Sequence, residues 1–265
     1  MIDFQDLDEK TLAKVIDFSI LPKQTTEAEI REGCAVTRQY GFAAFYASSA
    51  YWAPVVREEL AGMEDVEIGT GIAFPFGSVP AAVKAFEVED AVRRGCTAVD
   101  MVMNIGALKS GDHQVVAEEL RLFKQAAAGA VTKCILEVCF LADEEIATAS
   151  KLVAEAGIDF VKTSSGQFEG PSLEQFLVMR EAVCDAPVRL KVAGVKFPRP
   201  QNALVFLRAG ADRIGTRAGP EIVDSLEMLR KIGLVPEAVV AGRSAVAGLP
   251  TERGVVAGLP TEPPA

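Results

Sequence analysis

A short phrase recurs four times along the chain: a helical pattern ends at a glycine, and a short apolar run follows at once. It occurs at QYGFAAFYAS, RRGCTAVDMV, EAGIDFVKTS and RAGADRIGT, with the glycines at Gly41, Gly95, Gly157 and Gly210. Glycine suits the left-handed position that closes a helix, and an apolar run of this length suits a strand buried on both faces. The pattern predicts helices that alternate with buried parallel strands.

The distance between these glycines indicates how many strands there are. Successive glycines lie roughly 50 to 60 residues apart, about twice the ~30 residues of one strand-helix unit, so another strand is expected in each gap. Suitable apolar runs are found at 15–21, 67–74, 132–138 and 189–193. Eight strands that alternate with helices favour a closed (β/α)8 TIM barrel of the α/β class, although an open doubly wound sheet would show a similar local pattern.

Helix starts and the end of the pattern define the predicted domain. Thr26 with Glu29, and Ser172 with Gln175, have the spacing of capping boxes at helix starts. The alternation fades beyond about Gly233, and the segment VAGLPTE then occurs twice among Pro, Gly and Ala. We therefore predict one barrel domain over residues 1–233 and a disordered tail over 234–265.

Composition and charge exclude several classes of function. The chain has 265 residues, 49% of them hydrophobic and 24% charged, with a formal net charge of -10. No cluster of Lys and Arg could neutralise a run of phosphates, so a nucleic-acid surface is not expected. No apolar stretch approaches the roughly 18 residues of a membrane span, and the acidic start does not resemble an export signal. We expect a cytoplasmic protein without nucleic-acid or membrane partners.

The cysteines do not indicate a metal site or a disulfide framework. They are odd in number, lie in otherwise apolar runs and lack the paired spacing of zinc ligands. We expect reduced core residues and no zinc site. The five cysteines are Cys34, Cys96, Cys134, Cys139 and Cys184.

Charged residues inside the apolar runs are the candidates for chemistry. In a β/α barrel the reactive groups project from the carboxyl ends of the strands. Asp100 ends TAVD, Lys162 ends IDFVK, Lys191 lies in VRLKVAG, and Asp17 lies in VIDFSIL. Burying one of these charges alone is costly, so they should pair with each other or face a polar site.

Two lysines and a carboxylate suit imine chemistry. A free lysine is neutral in only about one molecule in 2,500 at pH 7, too few for efficient attack on a carbonyl. A second ammonium and partial desolvation lower the pKa of the attacking lysine. Lys191 could act in this way on Lys162, and Asp100 could transfer the protons that follow, directly or through water.

Simpler interpretations remain open for each candidate. Asp100 and a lysine could form a structural ion pair, and Asp17 could cap the first helix. The one histidine, His113, follows KSGD in a predicted solvated loop, and the serine pairs 48–49 and 164–165 have no histidine partner in sequence. Gly194, Gly215 and Gly219 could bring backbone N–H groups to a phosphate or simply form turns.

Several long segments resemble the deoxyribose-phosphate aldolase family. They are VIDFSIL, GFAAFYAS, AFPFGSVPAAVKAFEVEDAVRRGCTAVDMVMNIGALKSGD, EAGIDFVKTSSG, LKVAG and AGADRIGT, in order over residues 16–219. The resemblance implies a barrel with Lys162 as the Schiff-base lysine, Lys191 as the second lysine and Asp100 as the proton relay. It implies reversible cleavage of 2-deoxy-D-ribose 5-phosphate to D-glyceraldehyde 3-phosphate and acetaldehyde, without a cofactor. Substrate contacts are then expected from Asp17, Ser19, Gly166, Gly194, Gly215 and Arg217.

The chain departs from this family mainly where the substrate phosphate is held. Gln167 stands where a lysine is common, and Val195 replaces the second of two glycines. Arg217 and Ala218 replace serines, and the tail lacks the tyrosine that often reaches the active site. These changes should weaken a phosphate site, unless Arg217, assisted by Lys196, rebuilds one for phosphate or carboxylate.

Four functions remain to be distinguished. The first is a deoxyribose-phosphate aldolase, and the second is an aldolase with the same lysine chemistry on an unphosphorylated or carboxylated substrate. The third is a barrel isomerase or synthase without an imine, and the fourth is a binding barrel without catalysis. By analogy with barrel aldolases, a homodimer or larger assembly is expected.

Overall fold

Eight parallel strands close into a barrel in the computed structural model, which describes residues 2–236. Each strand pairs with the next along the chain, and the last pairs with the first through Ile16 and Ile214. This closure confirms the (β/α)8 barrel over the open sheet. The strands are β1 (Ile16–Ile20), β2 (Ala44–Ala47), β3 (Glu67–Ile72), β4 (Ala98–Val102), β5 (Val131–Ile135), β6 (Phe160–Lys162), β7 (Arg189–Ala193) and β8 (Arg213–Thr216).

Helices connect the strands and cover the outside of the barrel. None in the described chain is long and apolar enough to cross a membrane. The helices are α1 (Glu9–Ala13), α2 (Glu27–Tyr40), α3 (Ala53–Glu59), α4 (Ala81–Arg94), α5 (Ile105–Lys109), α6 (His113–Ala126), α7 (Asp143–Glu155), α8 (Leu173–Ala182), α9 (Arg199–Arg208), α10 (Gly219–Asp224) and α11 (Leu226–Lys231). Short 3-10 turns lie at Ala50–Trp52 and Val138–Phe140.

The predicted helix ends and helix starts are confirmed. All four repeated glycines have positive φ, from 68° at Gly41 to 107° at Gly95 and Gly210, within two residues of the ends of α2, α4, α7 and α9. Both predicted capping boxes form, at Thr26 for α2 and at Ser172 for α8. His113, expected in a loop, is instead the first residue of α6, and it is exposed.

Two strands end earlier than their apolar runs. The run 67–74 leaves the sheet after Ile72, where Ala73 adopts φ 51°. The run 132–138 leaves it after Ile135, where Glu137 adopts φ 43° and begins a 3-10 turn. Hydrophobicity alone cannot reveal such an ending, because residues that pack above a strand are as apolar as those within it.

The hydrophobic core lies between the strands and the surrounding helices. Large side chains such as Phe42, Phe45 and Phe176 are fully buried there. Val235 still packs against this core, two residues beyond the boundary expected at 233. From residue 237 onward, the expected tail lies outside the described residues.

All five cysteines are free thiols, but they do not share one environment. Cys34, Cys96 and Cys134 are buried in the core as expected, and Cys139 is half-buried. The expectation is wrong for Cys184, which is exposed beyond the end of α8. Cys184 lies in the connection between α8 and β7. Its apolar neighbours in sequence made this connection resemble a core strand.

Candidate active site

The barrel interior contains a connected network of polar side chains, one from each strand. We call this set the barrel network. The first four strands supply three carboxyl groups and a phenol, and the last four supply four cations. In strand order its members are Asp17, Tyr46, Glu67, Asp100, Lys133, Lys162, Lys191 and Arg213.

Asp100 is the centre of the network. Its Oδ2 atom accepts hydrogen bonds from Lys162 Nζ at 2.7 Å and from Lys191 Nζ at 2.8 Å. Its Oδ1 atom accepts one from the Tyr46 hydroxyl at 2.7 Å. The structure therefore brings together the three residues that the sequence suggested for catalysis.

A second set of ion pairs connects Lys191 to the rest of the network. Asp17 Oδ2 lies 2.7 Å from Lys191 Nζ, and its Oδ1 accepts a hydrogen bond from Arg213 Nη1 at 2.7 Å. Glu67 pairs with Lys133 Nζ at 2.7 Å and with Arg213 Nη2 at 3.1 Å. Lys133, Lys191 and Arg213 each pair with at least two carboxylates of the network. Within the described chain, Lys162 pairs with Asp100 alone.

Charge balance favours a neutral Lys162. The three carboxylates of the network are matched by Lys133, Lys191 and Arg213, so a charged Lys162 leaves one positive charge in excess inside the barrel. Burial lowers the pKa of Lys162 to about 8; Asp100 opposes this shift, and the charge of Lys191 adds to it. The expected effect of Lys191 is therefore present, but desolvation is the larger cause.

Asp100 and Lys191 keep their charge. Burial alone would raise the pKa of Asp100, but Lys162, Lys191 and Lys133 outweigh it and hold that pKa well below its usual range. Burial likewise opposes the charge of Lys191, yet Asp100 and Asp17 raise its pKa above the ordinary lysine value. Asp100 is thus a carboxylate and Lys191 an ammonium at neutral pH, which makes Lys162 the amine that can lose its proton.

The network opens into a cavity of about 1150 Å³ at the carboxyl ends of the strands. Lys162, Lys191, Asp100 and Tyr46 lie in its wall. Five of the six predicted substrate contacts also line it: Ser19, Gly166, Gly194, Gly215 and Arg217.

Asp17 is the predicted contact that does not line the cavity. Its side chain is fully buried in β1, paired in register with Ala44, and it lies behind Lys191. The alternative of a helix cap is wrong, because Asp17 is inside a strand. In this arrangement the contact of Asp17 with the cavity is indirect, through its ion pair with Lys191.

Gly215 shows why one glycine is required beside the lysines. A Cβ at this position would lie 3.0 Å from Lys191 Cε and 3.3 Å from Ala193 Cβ. Larger side chains at 215 would therefore displace the lysine. Gly219 has a different role, since a Cβ there would meet the Phe42 ring at 2.7 Å, within the core rather than at the cavity.

The mouth of the cavity contains three of the four substituted positions that depart from the family pattern; Ala218 does not line it. Gln167, Val195 and Arg217 all line it, with Gln167 and Arg217 exposed. Lys196 also lies there, but its Nζ pairs with Glu169 Oε1 at 2.7 Å on the surface. Lys23 and Arg199 add further exposed cations, so the mouth can attract an anionic group.

Four members of the network were not singled out from the sequence: Tyr46, Glu67, Lys133 and Arg213. Lys133 carries the same signal as Lys162, a charge within the apolar run VTKCIL, and could have been found in this way. Glu67 and Arg213 each begin a strand, where a charged residue is usually solvated. Tyr46 lies among apolar residues and resembles a core aromatic.

The described part of the chain offers no grouping of three or more His, Cys, Asp or Glu side chains for a metal ion. The serines of the cavity wall, Ser19, Ser48, Ser49 and Ser165, have no histidine partner, because the single histidine begins α6. What the cavity does present is a deprotonatable amine beside a carboxylate. Such an arrangement can form a covalent adduct with a carbonyl and move protons around it.

Comparison with known proteins agrees with this geometry. The family model described as "DeoC/LacD family aldolase" matches residues 4–224 of this chain. Deoxyribose-phosphate aldolase 1 of Mesoplasma florum is 39% identical over 82% of this chain and 97% of its own. A deoxyribose-phosphate aldolase of Bacillus cereus is 40% identical over 80% and 94%.

A solved structure supports the same assignment. The deoxyribose phosphate aldolase of Aeropyrum pernix, described as having a unique tetrameric structure, is 26% identical. It superimposes with a TM-score of 0.75 over 84% of this chain and 93% of its own. By sequence and by fold, the chain belongs to the DeoC/LacD aldolase family.

Proposed function

We propose that the protein reversibly cleaves 2-deoxy-D-ribose 5-phosphate to D-glyceraldehyde 3-phosphate and acetaldehyde, through an imine on Lys162. One observation carries the proposal: the network presents Lys162 to the cavity as a buried amine with a pKa of about 8, 2.7 Å from Asp100. The names of the two bacterial relatives support the substrate.

The geometry accommodates each step of this reaction. The neutral amine of Lys162 attacks the aldehyde carbon of the open-chain sugar, and loss of water gives a protonated imine. Asp100 takes the proton of the hydroxyl on carbon 3 while the bond between carbons 2 and 3 breaks. The electron pair of that bond moves towards the imine nitrogen, which gives an enamine and releases glyceraldehyde 3-phosphate. Asp100 then returns a proton to carbon 2, and hydrolysis releases acetaldehyde and Lys162.

Borohydride trapping tests the proposal directly. The protein is incubated with 2-deoxyribose 5-phosphate or with acetaldehyde, reduced, and analysed by intact mass and peptide mapping. We expect a stable adduct on Lys162 with both compounds. An isomerase, a synthase without an imine, or a non-catalytic binding barrel would give no adduct, and that outcome would contradict the proposed mechanism.

The pH dependence of cleavage follows from the lowered pKa of Lys162. With a pKa of about 8, roughly one Lys162 in ten is neutral at pH 7, compared with about one in 2,500 for a free lysine. Only the neutral amine attacks the carbonyl, so kcat/KM should rise as pH increases and level off above about pH 8. A profile that is flat between pH 6 and pH 9 would show that Lys162 does not titrate in this range.

Arg217 distinguishes the phosphorylated substrate from the alternative of an unphosphorylated or carboxylated one. If Arg217 binds the phosphate at the cavity mouth, Arg217→Ser should raise KM for 2-deoxyribose 5-phosphate by about tenfold or more, because a charge-assisted contact is lost. If Arg217 has redirected specificity, the same change should improve cleavage. The control substrate is unphosphorylated 2-deoxyribose, for which an Arg217–phosphate contact predicts little change in KM.

We also propose that the protein assembles as a homodimer or larger oligomer and works in the cytoplasm. The tetramer described for the Aeropyrum pernix protein supports an assembly, and five unpaired cysteines suit a reducing compartment. Sedimentation at micromolar concentration measures the assembly. A single species of about the 28.2 kDa chain mass would contradict it.

A further inference from the structure

Tyr46 is a buried tyrosine in direct contact with Asp100. It lies in β2, is 4% exposed, and reaches the cavity wall. Its hydroxyl donates a hydrogen bond to Asp100 Oδ1 at 2.7 Å and accepts one from Lys133 Nζ at 2.5 Å. The hydroxyl group thus has a fixed donor and a fixed acceptor, so the direction of its O–H bond is determined.

The ring of Tyr46 is held as firmly as its hydroxyl. Lys191 Nζ lies 4.1 Å from the ring centroid and Lys133 Nζ 5.0 Å from it, distances at which a cation is attracted to an aromatic face. Gly69, on the neighbouring strand β3, leaves the space that the ring occupies. A Cβ at position 69 would lie only 2.3 Å from the ring atom Cε1.

These contacts divide the two oxygens of Asp100 between different partners. Oδ1 faces Tyr46, while Oδ2 faces both lysines of the cavity. A protonated imine on Lys162 keeps only one N–H, while Lys191 remains a donor to Oδ2, so a lone pair of Oδ2 can accept the substrate proton beside the reacting carbons. Without the Tyr46 hydroxyl, Oδ1 could turn towards Lys133 Nζ, now 4.0 Å away, and Oδ2 would turn with it.

We propose that Tyr46 is a positioning residue that keeps Asp100 Oδ2 directed at the substrate for proton transfer, an inference that rests on the proposed function. Asp100 Oδ2 takes the proton from the hydroxyl on carbon 3 and delivers it to carbon 2 of the enamine. Tyr46 keeps its own proton throughout. Burial and the nearby Asp100 raise the pKa of Tyr46 well above its ordinary value, consistent with a permanent donor.

The experiment separates imine formation from proton transfer in Tyr46→Phe. Imine formation is measured as borohydride-trapped acetaldehyde on Lys162. Proton transfer is measured as exchange of the acetaldehyde methyl protons in D₂O, followed by NMR. The matched control is Tyr40→Phe, which removes the hydroxyl hydrogen bond from half-buried Tyr40 to Asp224, outside the barrel network.

We expect Tyr46→Phe to keep trapping within about threefold of the wild type but to lose roughly 100-fold in exchange and in kcat for cleavage, with KM little changed. Tyr40→Phe should match the wild type in every measurement. Exchange in Tyr46→Phe within twofold of the wild type would overturn the inference. So would a loss of trapping as large as the loss of exchange, because the tyrosine would then support the lysine or the fold in general.

A second variant tests the same inference if Tyr46→Phe does not fold. Gly69→Ala keeps the hydroxyl but forces the ring aside. It should also lose much more proton exchange than borohydride trapping. A folded Gly69→Ala protein with wild-type exchange would overturn the inference. A wild-type protein without any adduct on Lys162 would instead contradict the proposed function, so the two failures can be told apart.

Discussion

Replacement of Lys162 by alanine is expected to abolish aldol cleavage, with kcat/KM lowered by at least about 10⁴-fold. Lys162 is the amine whose pKa is lowered, to about 8, whereas the pKa of Lys191 is raised, so Lys191 cannot take over the attack. Lys133 and Lys191 are each held by two carboxylates. Cleavage is measured by coupled reduction of glyceraldehyde 3-phosphate, and trapping by intact mass.

The same variant should remain folded, which makes the loss of activity interpretable. Lys162 is the cation that leaves the network with an excess positive charge, so its removal leaves three carboxylates opposite three cations. We expect the thermal midpoint to fall by no more than a few degrees, which corresponds to about 1 kcal/mol for a domain of this size. The control is Lys151→Ala, an exposed lysine of α7. Cleavage by Lys162→Ala near the level of that control would contradict the imine mechanism.

Replacement of Lys191 by methionine is expected to shift the pH dependence of cleavage to higher pH. Without Lys191, three carboxylates face only Lys133, Arg213 and Lys162, so the network requires Lys162 as an ammonium. The pKa of Lys162 should rise from about 8 by about one unit or more. The neutral fraction at pH 7 then falls about tenfold for each unit of that rise. The measurement is the pH profile of kcat/KM, compared with that of Lys151→Met.

The Lys191 variant should also be less stable than the wild type. Asp17 and Asp100 both lose a partner at about 2.7 to 2.8 Å inside the barrel. Breaking a buried ion pair from one side typically costs about 3 to 5 kcal/mol, and we expect a loss towards the lower value because a charged Lys162 can compensate. Urea unfolding measures it. An unchanged pH profile would remove the proposed effect of Lys191 on Lys162, whatever the stability.

The secondary structure could be predicted from the sequence because its signals are local. A glycine such as Gly41 both ends a helix and precedes a strand, and Thr26 begins that same helix by bonds within four residues. Closure of the barrel is not local. It depends on pairing of Ile16 with Ile214, which no short segment of the chain specifies. The predicted barrel rested on the number of strands and on family resemblance, and the pairing confirms it.

The site could be predicted only where burial conflicts with charge. Lys162, Lys191 and Asp100 stand out because a charge in an apolar run demands a partner or a role. Tyr46 gives no such conflict, since a tyrosine among apolar residues is ordinary, and its importance appears only when Gly69 is placed beside its ring. The cavity mouth was hard to predict for another reason. The placement of Gln167 and Arg217 depends on loops, whose paths hydrophobic periodicity does not describe.

The order of charges around the barrel has a consequence for how the protein folds. Strands β1 to β4 carry all three carboxylates of the network, and β5 to β8 carry all four cations. Either half-barrel alone would bury charge of one sign, at a cost of several kcal/mol for each uncompensated group. Neither half can therefore form a stable interior by itself. The interior formed by the barrel network becomes favourable only when both halves of the chain are in place. Folding intermediates with one closed half are therefore disfavoured.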